Sequence, residues 1–225
     1  MVAQFAAELY RACSVARLER YRPPGGTDLE MLTTYFWNID LAVALLPSLN
    51  AAEIALRNAI HSAFEVYFNN PLWFYEPELL EPNQLSSFAS AYRSVTNRTA
   101  VTPGLLVAEL SFGFWTSLLS RKYLHVWSSN TYSAYHNAFP GAQNVPFDQV
   151  GRRFNEIRAL RNRVAHHEPI VFRPNLAAEH RDIHQAIEWI SPSLCAAIRL
   201  NDGFSTVYGS RASVERRLKD HLRLP

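Results

Sequence analysis

Cysteine, glycine and lysine are all scarce in this chain of 225 residues, and each shortage removes a class of protein. Two cysteines, Cys13 and Cys195, make no disulfide framework for this length, so a reducing compartment is expected. Eight glycines leave little for the tight turns of an all-β fold. Only Lys122 and Lys219 are lysines, against twenty arginines. That bias supplies planar groups that grip phosphate bidentately, and genomic base composition produces it equally well. The formal charge of +2 gives no bulk attraction to nucleic acid or anionic membrane. Long apolar runs are missing too. The longest stretch without Lys, Arg, Asp or Glu, Tyr123 to Phe147, is rich in Ser, Asn, Gly and Pro, unlike the ~20-residue apolar span a bilayer requires. Glu8, Arg11 and Arg17 stand where a secretory signal needs an unbroken apolar stretch. A soluble, cytoplasmic protein with no membrane partner is expected.

What is present is an apolar content of 48% with 12% aromatics, enough for a sizeable core. Apolar positions recur at three- and four-residue spacing, so the expected fold is all-α and the expected organisation a single domain, 1–225. The first helix is expected from about Ala3 to Glu19, before Pro23-Pro24-Gly25-Gly26. Thr27 and Glu30 have capping-box spacing. The helix they start meets Pro47, which predicts a kink or an end, and the pattern resumes to Tyr67 or Phe68. Trp73, Phe74 and Tyr75, lying between prolines, are expected as a loop packed on the core rather than a platform for bases. Asn83 is the expected cap of a short helix to about Val95, and Thr102-Pro103 opens an apolar helix through Leu119. A motif helix at about 148–168, a helix from about Asn175 to Arg199 and a short basic one from about Ala212 to Leu222 complete the chain.

The motif helix carries the chemistry. Val150, Phe154, Ile157, Leu160 and Val164 share one face on a helical wheel, and Arg161 falls inside that face. A guanidinium there needs a buried carboxylate, a phosphate or a wet partner surface, because an unpaired one costs several kcal/mol. His166 and His167 follow in the last turn, where the negative end of the helix dipole favours the protonated imidazole. Cleaving an RNA phosphodiester requires a base for the 2′-hydroxyl, an acid for the leaving oxygen and a cation for the crowded phosphorane. Histidine and arginine meet all three needs without a cofactor or metal. Spacing alone is weak support: chance gives roughly two Arg-x(4–6)-His matches in such a chain, and four occur. Only the string Arg161-Asn162-Arg163-Val164-Ala165-His166-His167-Glu168-Pro169 stands above that background.

Arg161-Asn162-x-x-Ala165-His166-His167 resembles the signature of the Abi-like (abortive infection) family, a bacterial branch of the HEPN superfamily of helical ribonucleases. Ala52-Glu53-Ile54-Ala55-Leu56-Arg57-Asn58 and Glu109-Leu110-Ser111-Phe112-Gly113-Phe114-Trp115 resemble that family's two earlier blocks, in the same order. The resemblance covers about Tyr35 to Ile170. It implies a HEPN-like helical bundle with additional peripheral helices, metal-independent endoribonuclease activity and a homodimer whose composite active site joins Arg and His from two protomers. It further implies Arg161 on the scissile phosphate, His166 as acid or base, and Asn162 orienting them, with His167 the alternative histidine. Phage defence by abortive infection, or the toxin role of a toxin–antitoxin pair with a protein or RNA antitoxin, follows from the same likeness.

Glu53 and Arg57 lie one turn apart on an apolar stripe, an ion pair that is structural or that supports the site. Arg158 is a further supporting candidate. Arg158, Arg163, Arg216 and Arg217 are candidate contacts for RNA phosphates, although a solvated face explains the last two as readily. A metal rival uses His180 and His184, with Glu188 one turn on and His166 or His167; one-turn histidine pairs are more often surface residues. A non-catalytic helical module that binds RNA or protein is the remaining alternative.

Overall fold

The three- and four-residue spacing of apolar side chains is expressed as helix throughout the computed structural model, which describes residues 1–128 and 133–224. Residues 129–132, within the uncharged stretch noted above, lie outside the described part. Among the described residues there are thirteen α-helices and no strand, an all-α fold. In chain order they are α1 Val2–Cys13, α2 Val15–Leu18, α3 Asp28–Phe68, α4 Pro82–Thr96, α5 Pro103–Glu109, α6 Phe112–Ser117, α7 Leu124–Trp127, α8 Ala134–Ala138, α9 Phe147–Ala165, α10 Leu176–Ile190, α11 Pro192–Arg199, α12 Phe204–Tyr208 and α13 Arg211–His221.

Several boundaries depart from the periodicity, each for a local reason. Ser14 adopts a left-handed φ of 70° and its Oγ accepts from Arg17 N, which splits the first expected helix in two. The cap of α4 is Glu81, in a reciprocal box with Gln84, rather than Asn83. Leu110 is extended and Ser111 caps a new start, dividing the expected helix through Leu119 into α5 and α6. Ser191-Pro192 does the same between α10 and α11. The Thr27–Glu30 box forms as expected, with Thr27 N donating to Glu30 Oε2 at 2.8 Å. Pro47 lies inside α3 without ending it. Its missing N–H leaves the Val43 carbonyl without its helical donor, and both residues are exposed, where water replaces the bond.

The chain divides into two compact units, Met1–Ser48 with Leu160–Arg181 and Leu200–Pro225, and Leu49–Ala159 with Asp182–Arg199. In the first, Ala6, Leu18, Tyr21, Met31, Leu32, Val214 and Leu218 form the buried core, with Phe5, Leu9, Phe36 and Trp37 packed around it. In the second the core is aromatic. Phe64, Trp73, Phe74, Phe88, Trp115 and Trp127 pack ring against ring, so Trp73 and Phe74 belong to the packed loop the sequence predicts. Gly151 lets α9 lie against the Leu119 carbonyl, which a Cβ would meet at 2.7 Å.

α3 has the length and composition to cross a membrane, with a mean hydropathy of 1.6 in an 18-residue window, 44% of it buried within the protein. Counting uncharged runs passes over it because Asp40 and Glu53 interrupt it. Its Leu32, Leu41, Leu45, Leu49, Leu56, Ile60 and Phe64 are all buried in the cores.

Asn38 sits on this buried stripe of α3, and its Oδ1 accepts two backbone hydrogen bonds, from Ile170 N at 2.7 Å and Val171 N at 3.1 Å. The segment leaving α9 is thereby pinned to α3. Asn38→Ala strands both donors, one fully buried, and should lower stability by about 2–4 kcal/mol in urea unfolding.

Candidate functional site at the end of α9

The apolar face expected of α9 is buried throughout, at Val150, Phe154, Ile157, Leu160 and Val164. The helix ends at Ala165, three residues short of the expected 168. Glu168 N bonds Arg163 O at 2.8 Å and His167 N bonds Val164 O at 3.0 Å, the paired closing bonds of a Schellman turn. His167 fills the left-handed position of that turn, at φ 56°, where glycine is the usual residue. Both histidines are exposed on the turn, while Arg161 and Asn162 are half-buried in the last full turns of the helix.

Two anchors hold the turn. On one side is the Asn38 amide; on the other, Arg17 Nη2 donates to the His167 carbonyl at 2.7 Å. Arg17 lies on α2, which is itself fixed by a charged cluster. Arg22 pairs with Glu19 at 2.8 Å and Asp28 at 2.6 Å, and Tyr10 donates its hydroxyl to Glu19. The Arg22 hydrogen bond, helped by that of Tyr10, holds the Glu19 carboxyl down at about 2.

A cavity of about 330 Å³ opens between α2 and the turn, lined by Arg17, Arg20, Tyr21, His166, His167 and Glu168. Glu168 is paired with Arg163 at 3.0 Å. A larger cavity, about 680 Å³, meets His167 from the α3 side, where Tyr35, Ile39, Val43 and Leu46 give it an apolar wall. Arg161 and Asn162 are not among the residues lining either cavity. The structure thus brings both histidines together with arginines from the N-terminal segment. Sequence reasoning missed Arg17, Arg20 and Asn38. Asn38 carried a signal, a polar amide on an apolar stripe; the two arginines carried none, because only folding brings them beside the motif.

The remaining candidates divide. Arg161 is engaged in interactions of its own, as is the half-buried Glu53. Arg57 is half-buried, and its Nε is buried with no hydrogen-bond partner among the described residues. Arg158 is half-buried, reaches Asn155 at 3.3 Å and packs beside Gly113. Arg216 is exposed, whereas Arg217 is paired with Asp40 and would have to give up that carboxylate to hold a phosphate. The histidines of the metal rival are buried rather than on the surface. His180 bonds Asp202 at 3.1 Å and stacks on Phe204. His184 accepts the Cys195 thiol on its carbonyl at 3.3 Å. Glu188 is exposed beside Arg199.

Comparison of the chain with family models, with curated proteins and with solved structures gave no match. The reading of the site therefore stands on its residues.

His167→Gly relieves the left-handed backbone and should raise stability by about 0.5–1 kcal/mol in denaturant unfolding. Glu19 contributes stability that is complete above its unfolded pKa, about 4.3, and is lost as pH falls toward 2. Over that acidic range the unfolding midpoint of the wild type should fall more steeply than that of Glu19→Gln.

Proposed function

We propose that the protein is a metal-independent endoribonuclease, an Abi-like helical bundle of the HEPN kind acting from the cytoplasm in abortive infection or as the toxin of a toxin–antitoxin pair. The observation that carries this reading is the exposed His166-His167 turn beside a cavity rich in cations. One imidazole takes the proton of the ribose 2′-hydroxyl. The 2′-oxygen then attacks phosphorus, and the bond to the 5′-oxygen breaks as a second imidazole protonates that oxygen. The products are a 2′,3′-cyclic phosphate and a 5′-hydroxyl. Arg161 carries the charge of the phosphorane, and Asn162 orients it.

A homodimer supplies acid and base from two copies. Ile39, Val43 and Leu46, exposed at helical spacing on α3 beside the turn, support such an apolar contact. His167 is kept in a backbone position that favours glycine, which supports a role for its side chain as well as for His166. One observation favours a second reading, a non-catalytic module that binds RNA or protein: Arg161 lines neither cavity that the histidines line.

Cleavage of RNA in chelator, with toxicity on expression as a second readout, tests the proposal. Wild type should cleave, Arg161→Ala and His166→Ala should lose about 10²- to 10⁴-fold, and His167→Ala identifies which histidine acts. Equal activity in all four rejects the site. Binding of RNA with no cleavage by the wild type supports the module.

A further inference from the structure

The cavity at the motif turn has an arginine too many for structure alone. Arg17 spends one N–H on the His167 carbonyl and so fixes the turn. Arg20, one turn of chain further on, is exposed and makes no hydrogen bond or ion pair with any described residue. Glu168, the one acidic residue lining this cavity, is neutralised by Arg163. Tyr21, its side chain buried, lines the same cavity. Burial raises the Tyr21 hydroxyl above its ordinary value, while the charges of Arg17 and Arg20 pull it the other way. The cavity is thus walled by groups that attract an anion, in contact with the two imidazoles.

We propose that this cavity binds a backbone phosphate of the RNA strand next to the one cleaved, held by Arg20 and by the remaining N–H groups of Arg17. The inference rests on the ribonuclease reading and extends it, because the N-terminal segment becomes part of the substrate groove. Arg17 then has two functions: its bond to the His167 carbonyl couples occupancy of the cavity to the position of the histidine turn. Arginine suits both tasks, since its fork can serve a carbonyl and a phosphate together. A free inorganic anion would meet the same donors, but a nucleotide strand also lays its neighbouring linkage against His166 and His167.

The test is the salt dependence of binding to a fluorescent single-stranded RNA carrying 2′-O-methyl groups, which cannot be cleaved by this chemistry. Affinity is followed by anisotropy for the wild type, Arg20→Ala, Arg20→Lys and a control, Arg11→Ala, exposed on α1. Arg20→Ala should weaken binding about tenfold at low salt and reduce the slope of log affinity against log salt by about 0.7, the share of one phosphate. Arg20→Lys should keep the slope, and the control should match the wild type. Superimposable thermal melts verify that Arg20→Ala is folded. If wild type binds and Arg20→Ala keeps its slope and affinity, the phosphate site is overturned while the ribonuclease reading stands. If wild type neither binds nor cleaves RNA, that reading fails first. Equal losses in Arg20→Ala and Arg11→Ala also overturn the site, because diffuse attraction then explains both.

Discussion

The turn that carries both histidines has no hydrogen-bonded helix beyond it to hold it, so its position depends on what receives the backbone donors of the segment that follows. Asn38 receives two of them through a single buried oxygen. A buried amide with its acceptor satisfied twice is worth more than its net hydrogen-bond energy suggests, because the alternative leaves the fully buried Ile170 N–H without a partner. It also acts directionally. Apolar packing tolerates a shift of a side chain along a stripe, whereas two bonds to one oxygen fix both register and distance for Ile170 and Val171.

The charged groups around the turn are graded by what they have left to give. Arg22 is engaged by Glu19, Asp28, the Tyr10 hydroxyl and the Gly26 carbonyl, and Arg163 gives one nitrogen to Glu168. Arg17 is half spent on the His167 carbonyl, and Arg20 not at all. A cluster built only for stability would have paired them all or omitted the surplus, since exposed ion pairs contribute little and an extra cation repels its neighbours. The gradient runs toward the cavity, the arrangement expected where an anionic ligand completes the pairing.

The backbone of His167 points the same way. Glycine would close a Schellman turn at lower conformational cost. The imidazole is retained at the end of a helix whose dipole favours cations, in contact with solvent on both sides. Such a departure from the locally preferred residue is what the acid–base role proposed for this side chain would call for.

Local sequence determined which segments are helical and which face of each is apolar. The stripe of α9, the Thr27–Glu30 box and the Thr102-Pro103 start are all built from neighbours within one turn, and all three form. Periodicity overran the breaks at Ser14, Leu110 and Ser191, where the backbone changes direction although the apolar spacing continues. That spacing marks apolar faces, including the exposed Ile39, Val43 and Leu46 on α3, and is blind to a single residue's φ and ψ. It found His166 and His167 because they adjoin in the chain. It could not find Arg17 or Arg20, because their place beside the histidines depends on contacts between residues far apart in sequence. Sequence by itself decided the helices and the motif. Only the tertiary structure decided which cations surround the histidines, since burial and charge pairing are set by neighbours that the chain order does not contain.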